Sequence, residues 1–325
     1  MTIDEETIRQ MQGLARTVYT LRPELLMNDA TFGEIPWVWA SSPASEQDDW
    51  RHRFWHAPDG EVIGWGWAFL PHETPQTDGT TRPFRRANLA WLVHPEHAEV
   101  FGEILDWYDE QAAAIPRGVS VRAAHAEALA LAAAHGYAVN EQQAGDQGYW
   151  IQLNGRDLAR IETPAVPEGY RVSTAAEVGT EAAYRAHADA WHPSTLTLEA
   201  MERTQRTESY RADLHLVVVT EDGAPVASTT IWLDEETGSA EFEPVGTHPE
   251  HRRKGVARAM LLHGMHAAKA AGARRMLVAC LGAAGHPAAR ELYYSVGFEC
   301  FTADVPHLKQ PDSSSLTPAA LIEAA

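Results

Sequence analysis

HPEHRRKGVARA, residues 248–259, is the stretch on which the reading of this chain turns. Its first four letters also occur at 94–97, where the continuation is AEVFGEI. A phrase that recurs with one ending kept and the other lost asks for a comparison of the two halves. Two more landmarks repeat in the same order. Asp59-Gly60 separates the strand-like runs RFWHAP and EVIGWGWAFL, and Asp222-Gly223 separates DLHLVVVTE and APVASTTIWL. Both have the pattern of hairpins turned at Asp-Gly. LAAAHGYAV at 131–139 and LYYSVGFEC at 292–300 align on Gly136 and Gly297. The offsets are 163 residues at Asp-Gly, 154 at HPEH and 161 at the glycine pair. Three ordered landmarks at nearly constant spacing predict two copies of one α/β unit of about 150 residues, a common domain size.

The copies differ in their loops. From the Asp of Asp-Gly to HPEH is 35 residues in the first copy and 26 in the second. The excess lies in PHETPQTDGTTRPFRR, a polar hairpin loop. The first copy is assigned residues 1–153, and 154–169 is read as a linker on Pro164, Pro167 and Gly169. The second copy is 170–311 and a tail follows at 312–325. EVGTEAAYRAHADAW is read as the second copy's first helix, ended by Trp191-His192-Pro193. Trp37 and Trp39 are ambiguous between core and pocket; Trp65 and Trp67 alternate along one strand face and are assigned to the core.

Composition narrows the partners. Among 325 residues, 45 acids outnumber 26 bases and the net charge is −19, which disfavours a general grip on nucleic acid. A cationic partner such as an amine suits that field better. The two cysteines, Cys280 and Cys300, give no disulfide framework. The opening MTIDEETIRQ does not have the pattern of a signal peptide, and no apolar run approaches a membrane span. The expectation is a cytoplasmic monomer or homodimer without a membrane or nucleic-acid partner.

The chemistry concentrates after the second HPEH. Glu241 to Gly246 reads as a strand, and VARAMLLHGMHAAKAAG reads as a helix stopped at Gly272. Between them lies Arg252-Arg253-Lys254-Gly255-Val256-Ala257. The first amides of a helix have no intrahelical acceptor, and the helix dipole adds partial positive charge. Small residues there let a phosphate approach the backbone, so the segment predicts an anion cradle. It lacks both the Walker spacing and G-x-G-x-x-G. His248 and His251 form H-x-x-H, but Pro249 opposes a helical ligand pair, and no metal is expected.

R-x-x-G-x-A after a strand resembles the acetyl-CoA-binding motif of the GNAT acyltransferase superfamily. HPAARELYYSVGF, 286–298, is similar to that family's N-x-x-A-x-x-L-Y-x-x-x-G-F. Ala289, Leu292, Tyr293, Gly297 and Phe298 match, while His286 stands where Asn is usual and is read as keeping its local hydrogen bond. The resemblance covers about 170–302; the first copy resembles the same fold more loosely. The architecture looks like that of the mycothiol synthase group. It implies two tandem GNAT-like domains of α/β (α+β) class, each a mixed, mostly antiparallel twisted sheet flanked by helices.

It further implies an acyl-CoA-dependent N-acyltransferase, with acetyl-CoA the expected co-substrate and a small-molecule amine the acceptor. Arg252, Arg253, Lys254, Gly255, Val256 and Ala257 would hold the pyrophosphate, with His286 and Ala289 nearby. A backbone amide at Val245-Gly246-Thr247, Val245 first, would polarise the thioester carbonyl. Glu241 and Glu243, two apart on one strand and therefore facing one side, are the candidate bases. Tyr293 would protonate the leaving thiolate, with Tyr294 the fallback. Trp191 and His192 stand in the region that covers the acceptor pocket in this fold, with core packing the equal alternative for Trp191. No cysteine is placed by motif as a nucleophile, which favours direct transfer. The alternatives are a non-catalytic acyl-CoA sensor and a peptide or protein acetyltransferase. In the first copy Ala98, Phe101 and Glu103 stand for Arg252, Gly255 and Ala257, and Ala132 stands for Tyr293. That copy is expected to be degenerate.

Overall fold

The computed structural model describes residues 3–311; the tail assigned to 312–325 lies outside the described residues. The first half carries strands β1 (Trp50–His56), β2 (Val62–Phe69), β3 (His72–Pro75), β4 (Thr81–Phe84), β5 (Ala87–Val93), β6 (Arg117–Arg122), β7 (Ala138–Val139) and β8 (Ile151–Asp157). The second carries β9 (Tyr170–Thr174), β10 (His215–Thr220), β11 (Pro225–Asp234), β12 (Ser239–Thr247), β13 (Arg275–Leu281) and β14 (Glu299–Lys309).

The repeat is a structural one. Gly60 and Gly223 turn the two Asp-Gly hairpins at φ 92° and 88°, and Gly136 and Gly297 take φ 80° and 83°. These left-handed values favour glycine. The two HPEH turns are alike in their hydrogen bonds. The amides of His94 and His248 donate to Ile63 O and Val226 O, each at 2.8 Å. The Nδ1 atoms of the same histidines accept from Glu96 N–H and Glu250 N–H, each at 3.2 Å. The shared phrase is a strand-ending turn in both copies.

The copies are not two closed sheets. One continuous sheet runs β1-β2-β5-β6-β14-β8-β13-β12-β11-β10-β9, with β7 on β14. The last strand of each half has crossed to the other: β8 pairs antiparallel with β13, and β14 runs on from β8 to pair with β6. This moves the expected linker. Asn154 to Asp157 are not connector but ladder, in register with Val278 to Arg275. The polar look of this segment misleads because its polar groups are spent inside. Asn154 is fully buried and its amide donates to Val278 O at 3.1 Å. The irregular connector is confined to 158–169.

The exchanged strand β14 is anchored by charge as well as by its ladder. Arg122 on β6 meets Asp304 on β14 at 2.6 Å, both buried, and its Nε donates to Leu26 O. Lys309 near the end of β14 pairs with Asp109, which also holds Arg117. Two apolar cores lie on either side of the exchange, one around Trp65, Trp67, Trp91 and Phe101, the other around Phe242, Met260, Met265 and Phe298. Trp65 and Trp67 are buried, as their alternation predicts.

The first copy's extra loop is the β3–β4 hairpin, and it reaches across to the second copy. Thr77 N–H donates to Ser194 O at 2.8 Å, and Ser194 N–H donates to Thr77 Oγ1 at 3.0 Å. The predicted first helix of the second copy is broken at Gly179 into Ala175–Val178 and Thr180–Ala190. Among the described residues no helix is long and apolar enough to cross a membrane.

Candidate active site

The site exists because two strands part. β12 and β13 run parallel and in register only from Ser239–Arg275 to Phe242–Val278. The next residues on β12 are Glu243 and Pro244, where its pairing to β11 also shifts register. Proline has no N–H for a ladder. Beyond Phe242 the β12 edge facing β13 therefore has no strand partner among the described residues. Two clefts open into the gap, of about 600 Å³ and about 470 Å³. Both are lined by Trp191, Val245, Ala288, Ala289 and Tyr293, so they form one passage through the split. A hollow of about 720 Å³ lies at the far end of these strands, beside Arg274 and Arg275, and touches neither motif segment.

The smaller cleft contains the predicted cradle. Gly255 sits at φ 81° and the helix Val256–Ala270 starts directly after it. Ala259 N–H to Gly255 O is the bond that opens the helix, so the amides of Val256, Ala257 and Arg258 precede it. Arg253, at φ 63°, completes the tight loop. Arg252 is a brace as well as a charge. Its guanidinium donates to Thr247 O at 3.0 Å and Ala190 O at 3.1 Å, tying the strand end to the helix Thr180–Ala190. Gly246, Thr247, Arg252, Arg253, Gly255, Val256 and Ala257 line the cleft, whereas Lys254 does not. The chemistry of this donor set suits a pyrophosphate.

The larger cleft is acidic. Glu243 lines it from β12, and Glu34 and Asn28 line it from the first copy. No lysine or arginine lines it, and neither Glu34 nor Glu243 has an ion-pair partner among the described residues. Burial, then the charge of Glu241, raises the Glu243 carboxyl. Burial, then the charge of Glu243, raises that of Glu34. Glu241 faces the same side, as the strand period requires, but is already engaged. It is 3% exposed and accepts from Thr31 Oγ1 at 2.8 Å and Gly33 N–H at 3.0 Å, outside both clefts. Burial pushes its carboxyl up to about 7 despite those two bonds.

Tyr293 stands where the clefts meet. It is 5% exposed, and its hydroxyl makes no hydrogen bond among the described residues. Tyr294 points elsewhere and accepts from Gln152 Nε2 at 2.9 Å. Cys280 also lines the larger cleft, but burial pushes its thiol up to about 11, which leaves it protonated at neutral pH. His286 lines the cleft at the start of the helix Pro287–Ser295 without capping it. It does not keep the asparagine's capping bond; its ring packs on Tyr149 at 4.9 Å. Trp191 is a wall, 41% exposed, backed by the ring of His187 at 5.6 Å. Burial drives His187 down to about 3, so that backing is neutral. His192 lines neither cleft and belongs to the loop held by the β3–β4 hairpin.

His248, Glu250 and His251 bring donor atoms within 4.8 Å of one another. The turn accounts for this grouping. His248 Nδ1 takes Glu250 N–H, and His251 Nδ1 contacts Tyr170 Oη at 2.9 Å.

The first copy has the same split, filled. β5 and β6 pair in parallel only from Ala87–Arg117 to Leu89–Val119. Into the gap beyond projects Trp91, 154 residues before Val245. Its ring stacks on Phe101 at 3.8 Å and its Nε1 donates to Ser120 O at 2.9 Å, on the open edge of β6. Phe101 stands for Gly255, so one aromatic pair occupies both the strand gap and the helix start. Phe101 is legible from the repeat; Trp91 is the partner that motif comparison passed over.

The family model described as the acetyltransferase (GNAT) family matches residues 180–298. Three solved structures share the fold over nearly the whole chain. The GCN5-related N-acetyltransferase from Sphaerobacter thermophilus has 20% identity and TM-score 0.60, covering 95% of this chain and 94% of that one. A tandem GNAT protein from the clavulanic acid biosynthesis pathway has 17% identity and TM-score 0.61, covering 95% and 96%. An acetyltransferase from the GNAT family of Colwellia psychrerythraea has 12% identity and TM-score 0.54, covering 95% and 98%. No curated protein matches the sequence. The split strands, the glycine cradle and the buried tyrosine thus fall in this order within residues 180–298, the stretch that matches the acetyltransferase (GNAT) family model, in a chain whose fold is shared with a tandem GNAT protein.

Proposed function

We propose that the chain transfers the acyl group of an acyl-CoA, acetyl-CoA first, directly to the amine of a small molecule in its second copy. The observation that carries this is the meeting of a phosphate-suited cleft and an acidic cleft at Val245 and Tyr293. The pyrophosphate binds at the amides of Val256–Arg258 and the guanidinium of Arg253. The unpaired edge of β12 from Glu243 onward offers backbone N–H groups to the thioester carbonyl, Val245 foremost. An ammonium of pKa near ~10 is not a nucleophile. Glu243, with its carboxyl raised toward the working pH, takes its proton. The amine nitrogen bonds to the acyl carbon, the C–S bond breaks, the sulfur receives the Tyr293 proton, and the second proton lost by the nitrogen returns Tyr293 to its neutral form. Glu241 positions this strand against the first copy and is not the base. The size of the acceptor cleft favours a small molecule over a folded protein.

Thermal unfolding with acetyl-CoA, longer acyl-CoAs and free CoA tests the donor, since ligand at ~100 times Kd adds about 2.7 kcal/mol. Gly255→Glu should abolish the shift; an equal shift in both proteins would place the donor elsewhere. CoA-thiol release with a panel of amines tests the transfer. Binding of acetyl-CoA with no release from any amine would favour a sensor instead.

A further inference from the structure

We propose that the acceptor carries two cationic groups, and that Glu34, supplied by the first copy, binds the one that does not react. This deepens the acyltransferase reading and rests on it. Two carboxylates, Glu34 and Glu243, line one half-buried cleft that no lysine or arginine lines among the described residues. Nearby carboxylates without a counter-cation oppose each other's ionisation and are costly to keep. One ammonium would neutralise only one of them. A second, independent feature fixes which end reacts. Tyr293, 5% exposed and with no hydrogen-bond partner for its hydroxyl among the described residues, lines both clefts where they meet. The reacting nitrogen therefore belongs beside Tyr293 and Val245, within reach of Glu243 on the same strand. Glu34 is left for a second charge further along.

Glu34 is held in place by β12 itself. It opens the helix Glu34–Ser41, and Gly33 just before it donates to Glu241 Oε2. A Cβ on Gly33 would lie 2.7 Å from both that oxygen and Trp232 Cδ1, so the loop sits as close to the strand as a backbone can. The spacing of Glu34 and Glu243 is thus set by one strand and one pinned loop. Trp191, 41% exposed, lines the same cleft and adds an aromatic ring to a wall that would meet a cation. The first copy, its own slot filled, supplies the second copy's specificity.

The test measures CoA-thiol release from acetyl-CoA with linear monoamines and with α,ω-diamines of matched chain length. At least one diamine should exceed its monoamine in kcat/KM by about tenfold or more, the worth of a charge-assisted contact. Glu34→Gln should erase that ratio through KM for the diamine. Glu34→Asp should restore it with a preference for a diamine one methylene longer. Calorimetric binding of diamine in the presence of CoA should weaken in Glu34→Gln in parallel. Equal use of monoamines and diamines by the native protein, or an unchanged ratio in a folded Glu34→Gln variant, overturns the inference while the acyltransferase reading stands. Absence of both acetyl-CoA binding and any transfer overturns both.

Discussion

Glu241 on β12 accepts the hydroxyl of Thr31 at 2.8 Å, joining the second copy's central strand to the first copy's loop in a buried setting. The carboxyl is raised from its usual 4.5 to about 7, chiefly by burial. A carboxyl raised in the folded state is protonated there while it is ionised in the unfolded chain. Its contribution is full below about pH 4.5 and is lost as pH rises through about 7. Native stability should therefore carry a downward component across that window, of at most about 3 kcal/mol. Glu241→Gln keeps groups able to bond Thr31 and Gly33 and should remove the component. Chemical denaturation of both proteins at pH 4.5, 6 and 7.5 measures the difference; parallel curves would show that Glu241 does not titrate on folding.

Tyr293 and Glu243 should separate chemistry from stability. The Tyr293 hydroxyl has no hydrogen bond to lose among the described residues, so Tyr293→Phe should leave the denaturation midpoint nearly unchanged. Loss of a positioned acid should still lower kcat by about 10²–10⁴. Glu243→Gln should lower kcat similarly and flatten the acidic limb of the pH profile, because the raised carboxyl must be ionised to act. Acetyl-CoA binding should survive in both. Undiminished turnover in either variant would remove that residue from the mechanism.

The second copy was legible because its signals are local. RRKGVA lies at the helix start whose amides it exposes, so local chemistry conveys that geometry, while HPAARELYYSVGF was readable through its likeness to a family motif. The exchange of β8 and β14 was not legible. Pairing between Asn154 and Val278 spans the chain, and the polar run NGRD has no periodicity to announce it. Glu34 was hidden for the same reason: its relation to Glu243 exists only after the copies dock. His192 failed for another reason, since adjacency to Trp191 does not decide which way a loop residue faces. Trp91 was within reach, because the HPEH offset carries it onto Val245.

The aromatic plug makes a prediction about stoichiometry. Trp91 and Phe101 fill the first copy's strand gap and helix start together. Calorimetry should find one acetyl-CoA per chain. Trp91→Ala should cost about 3–5 kcal/mol as a large-to-small core change. Even with Phe101→Gly added, it should not create a second active centre, because Ala132 has no hydroxyl to offer. A second equivalent of acetyl-CoA bound by the native chain would show that the plug does not close the slot.

The exchanged strands predict that neither copy stands alone. A fragment ending at 153 would keep only part of β8, and a fragment starting at 170 would lack the strand that separates β13 from β14. Each would expose an unpaired edge where the native sheet is continuous, a state open to aggregation. The two fragments produced separately should be insoluble or unfolded by circular dichroism. The buried pair at the crossing gives a finer measure. Removing one partner of a buried ion pair strands the other charge, which typically costs about 3–5 kcal/mol. Asp304→Ala should therefore destabilise the whole chain in one cooperative step, with no separate transition for the first copy, because Arg122 sits on β6 and Asp304 on the strand arriving from the second. Two resolved transitions in calorimetry, only one of them shifted, would show that the copies unfold independently despite the exchange.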